Sequence, residues 1–452
     1  MVKIEFREDG LTLEPITVTA FVILGVALIL FISDLLHIAT TSVLVCLALA
    51  IFGVIPLEVA FAGFANDIVF LITGMMIVGS ALIETGVSRV IGRKIISVVG
   101  SNERIFIVVV CLACLPLSAF LTNTATVAMM LPIAAAAIAA SNGKFSQKNT
   151  FMMVGIASVS GGALTLVSST PQLIAQGILR DGGFETLGFF HISIVGAPIA
   201  IFVLLYAAFV AFPLQKRILK FSKNPDTQEV SSTADEPAGA DTPANDTAAE
   251  THEKESIIKM CIAAGILVFC VVAFIAGLWS PGIVAMVGAA TCVVTGCISQ
   301  KKVFQKLDWT SVIVIGCSFG FAAGLHYSGA AEVIAQGAVN ILGEGVSPWL
   351  LCAVLVLIAA VLGNFMSNTA TAALLIPIAI AIASSLNINV MHVALCVAIG
   401  ANISFSTPLA SPALTLTLQG GYRFKDYIIL GGLFNILAYI IVLLMIPFIL
   451  ML

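Results

Sequence analysis

The chain has 452 residues, of which 60% are hydrophobic and only 10% charged, and its mean hydropathy is +1.12. A water-soluble globule carries roughly 25% charged residues, so most of this surface must face hydrocarbon. The net charge of −4 comes mainly from one acidic linker, and no basic patch suggests nucleic acid.

Apolar runs long enough to cross ~30 Å of bilayer recur along the whole chain. They are continuous rather than alternating, so they must satisfy their own backbone as helices, which predicts an all-α polytopic membrane protein. Spans are expected near 16–33, 38–55 and 68–86, followed by a basic amphipathic stretch from Ser88 to Val99. A long apolar segment near 104–140 comes next, then a span near 151–179 broken at Thr170-Pro171, and another near 187–213. Residues 222–255 are rich in Asp, Glu, Ala, Thr and Pro and cannot bury enough surface to offset their ordering entropy, so a disordered tether is expected. The plan then repeats with 256–278, 281–299, 310–327, a long segment near 348–385, a broken span near 391–419 and a last span near 427–451. This divides the chain into a first unit, 1–221, and a second, 256–452.

The N-terminus has mixed charge and lacks the basic start and cleavage site of a signal peptide. The ten cysteines are scattered through apolar segments, and the Cys111/Cys114 pair has no His or second pair beside it, so packing is the expected role.

Lys and Arg set the orientation. With the linker in the cytoplasm, 17 of the 20 basic residues fall on that side, and only Lys3, Arg7 and Arg180 fall outside. Both termini are then outside, in the inner (plasma) membrane. The bias holds only if each long segment enters and leaves on one side. Both therefore read as re-entrant hairpins, the first returning to the cytoplasm and the second to the outside.

The strongest signal is a doubled stretch, SAFLTNTATVAMMLPIAAAAIAAS from Ser118 to Ser141 and GNFMSNTATAALLIPIAIAIASS from Gly363 to Ser385. The Asn-Thr-Ala-Thr cores are 245 positions apart, on either side of a cytoplasmic linker, which predicts two inverted-topology repeats of about five transmembrane helices plus a hairpin each. Thr122-Asn123-Thr124 and Ser367-Asn368-Thr369 are good N-cap residues, able to end one helix and start the next. Such a break leaves free N–H groups where the helix dipole attracts an anion, and free carbonyls that suit sodium. Ser168, Ser169, Thr170 and Pro171 in the first broken span, and Thr407, Pro408, Ala410, Ser411 and Pro412 in the second, supply the other half of each site. There proline is expected to break the helix and free acceptors beside hydroxyls.

Neither hairpin nor broken span is expected to carry an Asp, Glu, Lys or Arg, so neutral donors and bound cations would hold the anion. Asp34, Glu58, Asp67 and Glu84 read as interfacial, and His37, His191, His326 and His392 as isolated. An intramembrane enzyme would need a Ser/His pair, paired Asp residues or a zinc motif, none of which is found.

At these residues the sequence resembles the divalent anion:sodium symporter family, within the wider ion transporter superfamily. The resemblance implies homodimers and a transport part that moves against a scaffold part. It implies that Asn123, Thr124, Asn368 and Thr369 meet the substrate carboxylates, flanked by Thr122 and Ser367, with help from the hydroxyls around Thr170 and Ser411, Ser169 and Pro412 beside them. One sodium would sit among Ser118, Thr122, Asn123 and the backbone near Ser168. A second would sit at Gly363, Met366, Asn368 and the backbone near Ala410. Thr122 replaces the family's usual Ser, and the family's Thr-Pro-Pro-Asn has become Ser-Thr-Pro-Gln and Ala-Ser-Pro-Ala-Leu. The expected function is sodium-coupled symport of C4-dicarboxylates such as succinate, malate and fumarate by an elevator-like movement. A sulfate carrier and a sodium-independent dicarboxylate exchanger are the alternatives.

Overall fold

A computed structural model of the protein describes residues 14–33, 35–86, 90, 102–141, 143–217, 246–342 and 346–452. Every regular element among them is helical, and ten helices are long and apolar enough to cross a membrane. The all-α, multi-pass expectation therefore holds.

The chain opens with α1 (Pro15–Ser33), α2 (Ile38–Ile51), the short α3 (Leu57–Ala60), a 3-10 turn (Ala62–Ala65) and α4 (Asp67–Glu84). The first doubled stretch forms α5 (Glu103–Phe120) and α6 (Asn123–Ala140), followed by α7 (Gln147–Gly161) and α8 (Thr170–Asp181). Helix α9 (Ser193–Leu205) passes through a π turn (Tyr206–Ala211) into α10 (Phe212–Arg217). Then come α11 (Asp246–Ala276), α12 (Pro281–Val294), α13 (Gln300–Lys306), α14 (Trp309–Tyr327) and α15 (Ala330–Leu342). The second doubled stretch forms α16 (Pro348–Phe365) and α17 (Asn368–Ser385), followed by α18 (Val390–Asn402), α19 (Pro412–Leu416) and α20 (Phe424–Ile449).

Several boundaries differ from expectation. Helix α11 starts inside the stretch read as a disordered tether, whose last residues are good helix formers (AAETHEKES). Residues 222–245, Asp34 and, except for Val90, the amphipathic Ser88–Val99 lie outside the described residues. The short helices α13 and α15 were not expected, because they lack a membrane-length apolar run. Helix α5 begins at Glu103-Arg104 and α8 ends at Arg180-Asp181, so charges do occupy the outer ends of a hairpin and a broken span. Glu103 is buried, accepts from Ser146 N (2.9 Å) and Asn149 Nδ2 (2.8 Å), and pairs with Lys216 at 3.3 Å.

Close approaches at glycine tie α4 to α12 and α3 to α14 in one group of helices, the α4 body, and α5 to α7 and α16 to α18 in another, the hairpin body. A methyl at Gly74 on α4 would lie 2.5 Å from the Ala285 backbone on α12, and one at Gly320 on α14 would lie 3.0 Å from the Ala60 backbone carbon on α3. Likewise Gly161 on α7 abuts the Leu115 carbonyl on α5 at 2.6 Å, and Gly400 on α18 abuts that of Val356 on α16 at 2.8 Å. Backbone meets backbone in each case, which locks the pair. Where α4 and α14 meet the hairpins and broken spans, side chains intervene: Gly79 faces Leu121 Cδ2 at 2.9 Å, and Gly177 faces the Phe319 ring. The two halves of the hairpin body are joined by buried hydrogen bonds, from Tyr206 Oη to Leu430 O (2.7 Å) and from Ser169 Oγ to Asn402 Oδ1 (2.7 Å).

Candidate functional site

Each doubled stretch bends at two extended residues. Leu121 (φ −99°, ψ 164°) and Thr122 separate α5 from α6; Met366 (φ −129°, ψ 167°) and Ser367 separate α16 from α17. Thr122 Oγ1 accepts from Ala125 N at 3.3 Å and Ser367 Oγ from Ala370 N at 3.2 Å, so both act as the N-caps their chemistry predicts. The amides of Asn123, Thr124, Asn368 and Thr369 donate to no group among the described residues. These are the orphan donors of a helix start, and the dipole makes such a terminus attractive to an anion.

The broken spans differ from expectation in one respect. The backbone leaves helical form before the prolines, over 162–169 and 403–407, and Pro171 and Pro412 lie in the first turns of α8 and α19. Proline starts these helices rather than breaking one, because its missing N–H costs nothing in a first turn.

The two tips and two broken spans converge on one cavity of about 660 Å³, within the roughly 300–1,000 Å³ typical of small-molecule sites. Thr122, Asn123, Thr124, Ser168, Ser169, Thr170, Ser367, Asn368, Thr369, Ala410, Ser411 and Pro412 all line it; Ser118, Gly363 and Met366 stand behind this wall. The opposite wall is α4, through Ile72, Met76 and Ser80. His37, Glu84, Lys306 and Asp308 line the cavity rim. Glu84 pairs with Lys302 at 2.5 Å, whereas Lys306 has no ion-pair partner among the described residues. Asp308 accepts from Ser311 Oγ (2.5 Å), which lies 3.3 Å from Thr170 Oγ1.

Behind the first tip, Ser118 Oγ donates to Ser158 O (2.6 Å) and lies 2.9 Å from Asn123 Oδ1. Ser168 Oγ donates to Ser118 O and, at 3.1 Å, to Leu121 O. A methyl at Gly162 would enter the Asn123 amide, 2.9 Å from Cγ. Among the described residues, the Ser160 hydroxyl is buried without a hydrogen-bond partner.

Behind the second tip, Ser404 Oγ donates to Asn368. The Asn368 amide lies against the carbonyls of Ala401 and Ala410, and if its NH2 is turned toward them it donates to Ala410 O at 2.7 Å. With Oδ1 turned the same way, Asn368, Ala401 and Ala410 present oxygens only, the environment a hard cation prefers. Asn364 and Asn435 clamp the extended strand: Asn435 Oδ1 accepts from Phe405 N (2.8 Å), and Asn364 Oδ1 from Ser406 N (2.8 Å). Ser404, Asn402, Asn364 and Asn435 escaped the sequence reading. Their signal, had it been used, is an isolated amide or hydroxyl inside an apolar run.

A family model described as "CitMHS: Citrate transporter" matches residues 28–346 and 343–452. An uncharacterized transporter of Haemophilus influenzae is 28% identical over 96% of this chain and 92% of its own length. The sodium-dependent dicarboxylate transporter SdcS of Staphylococcus saprophyticus is 24% identical over 92% of this chain and 83% of its own length. The crystal structure of the Alcanivorax borkumensis YdaH transporter has a similar fold, with TM-score 0.57 at 15% identity over 86% of this chain and 85% of that one. The resemblance to sodium-coupled anion carriers thus holds, and the reading as a transporter rather than an enzyme holds with it. This polytopic, four-break membrane protein belongs to the CitMHS citrate transporter family.

Proposed function

We propose that the protein is a sodium-coupled symporter of small multivalent carboxylates, with C4-dicarboxylates such as succinate, malate and fumarate as its substrates. The observation that carries the reading is the convergence of four helix breaks on one cavity whose polar lining is mainly neutral donors. The free amides of Asn123, Thr124, Asn368 and Thr369 would take the carboxylates, with hydroxyls of Thr122, Ser169, Thr170, Ser367 and Ser411, beside Pro412. The oxygens of Ser118, Thr122, Asn123 and Ser168 would hold one sodium. Those of Gly363, Met366, Asn368 and Ala410 would hold the other. Each cation then offsets the charge of an anion that meets no Arg or Lys at the tips.

The hairpin body is the moving part in this reading, and the α3–α4–α12–α14 body the fixed wall, as the side-chain-mediated seam between them supports. The repeats are inverted, the hairpins re-entrant, the linker cytoplasmic and both termini outside, as the Lys and Arg distribution requires. The cavity rim at Glu84 and Lys306 then faces the cytoplasm. The assembly is a homodimer in the inner membrane.

A second reading is citrate, favoured by the family description and by Lys306, which has no ion-pair partner among the described residues and lines the cavity where it could meet a third carboxylate. Thermal stability of the purified protein against succinate, citrate and sulfate, each with sodium or potassium as sole cation, separates these readings. A ligand that binds the native state raises Tm by mass action. Stabilisation by succinate in sodium alone is expected. Equal stabilisation in potassium would remove sodium coupling, and a shift with citrate alone would favour the second reading.

A further inference from the structure

The cavity runs along α4 to its Glu84 end, and a charged cluster ties the two bodies together at the other. Helix α4 spans 18 residues from Asp67 to Glu84, about 27 Å at the α-helical rise. Its Glu84 end is at the cavity rim. At the far end, Asp67 Oδ2 pairs with Arg180 Nη1 at 2.6 Å. Asp67 Oδ1 accepts from Ser280 Oγ (2.8 Å) and from Gly282 N (3.1 Å) at the start of α12. Next to it, Asn66 Nδ2 donates to Asp181 Oδ1 at 2.7 Å.

Two facts make this more than a surface contact. Of the three Lys/Arg–carboxylate pairs among the described residues, this alone joins the two bodies. Lys302–Glu84 lies within the α4 body and Lys216–Glu103 within the hairpin body. The Asp67 carboxylate is also held from its own side, by Ser280 and the Gly282 amide. Its side chain is 19% exposed against 42% for Arg180, and a methyl at Gly282 would lie 2.5 Å from the Asp67 carbonyl oxygen. The fixed body therefore presents an oriented, largely desolvated anion, and the other body reaches it from the last turn of α8, ten residues beyond the cavity-lining Thr170.

We propose that Asn66 and Asp67 on one body and Arg180 and Asp181 on the other form a latch. It closes the face opposite the cavity and holds the cavity-open state; exposing the site to that face requires both contacts to part. The latch rests on the transporter reading only in supposing that the two bodies move. It makes no use of substrate identity or of sodium.

The test is the labelling rate of a cysteine placed at Ser80 in the cavity wall. The full-length protein in nanodiscs, in a C261S background, is treated with an impermeant maleimide. R180K keeps the charge and should label at close to the parent rate. R180Q should slow labelling roughly fivefold, the population shift that a partly screened ion pair supports, and R180E should slow it further. Equal rates in R180Q, R180E and the parent would overturn the latch, as would slowing by R180K as great as by R180E. Melting curves identify any variant that fails to fold. Should R180E fail, N66S, which keeps a helix cap but loses the amide, takes its place beside R180Q, and the parent rate in either overturns the proposal. Because the readout needs no ligand, a protein that moves no carboxylate can still show the graded effect. A working carrier without a latch would not.

Discussion

The two tips share Asn-Thr-Ala-Thr and the same helix–break–helix geometry, yet they are supported by different chemistry. The second rests on amides: Asn364 and Asn435 occupy the backbone N–H groups of Ser406 and Phe405, and Thr407 Oγ1 donates to Asn364 O at 2.7 Å. The first rests mainly on hydroxyls: Thr165 donates to Ala119 O, Ser193 to Leu164 O and Ser168 to Ser118 O, with the one Gln172 amide donating to Gly162 O at 3.0 Å. Amide clamps satisfy backbone donors directly and hold one conformation. A hydroxyl can rotate, and here one more, on Ser160, is buried without a partner among the described residues. The first tip is thus the more adaptable site and the second the more preorganised.

Four pairs of substitutions can break or sharpen that comparison. The largest effect is expected at the tips themselves. N123A or N368A should abolish sodium-dependent uptake in proteoliposomes with the fold intact, and normal uptake in either variant would remove that tip from the site. Next comes crowding. G162A places a methyl inside the Asn123 amide, whereas a methyl at Gly363 lies at 3.1 Å from Ala401 O. Sodium affinity should therefore fall about tenfold or more in G162A and under about threefold in G363A, consistent with steep core-crowding costs. Similar losses in both would mean that the tips are equally tight.

The third test is stability. N435A strips the partner from a buried backbone N–H, which costs about 1–3 kcal/mol, while T165V leaves only a carbonyl short of one donor. A larger fall in Tm for N435A than for T165V is expected; the reverse order would place the rigid support at the first tip. The smallest effect is expected from exchanging the caps, T122S and S367T. Both hydroxyls accept from the third amide onward, and Ser and Thr differ little as N-caps. Uptake within about twofold of the parent would show that the asymmetry lies behind the tips, and a larger change that it lies in the caps.

Much of the site was legible because its signals are local. A Ser or Thr that caps its own helix, a proline in a first turn and a 20-residue apolar run each act within a few residues. The doubled motif named Thr122, Asn123, Thr124, Ser367, Asn368 and Thr369, and the hydroxyls after each hairpin named Ser168, Ser169, Thr170 and Ser411; all of them line the one cavity. The prolines were read with the wrong sign, as breakers, because a sequence does not say whether Pro171 ends a helix or begins one. The break lies in the residues before it, and the helix after it.

By itself, the sequence determined that this is a helical membrane protein with two capped helix–break–helix segments and two interrupted spans. Hydropathy, capping and repetition operate along the chain. Only the tertiary structure decided that Asn402 reaches Ser169, that Asn435 clamps Phe405, that Lys306 stands at the cavity rim and that Asp67 meets Arg180. Most of those partners lie tens to hundreds of residues apart, and a lone amide or charge carries no mark of the group it will meet. Folding supplies that partner, because a polar group left unpaired in hydrocarbon costs more than any one helix can offset.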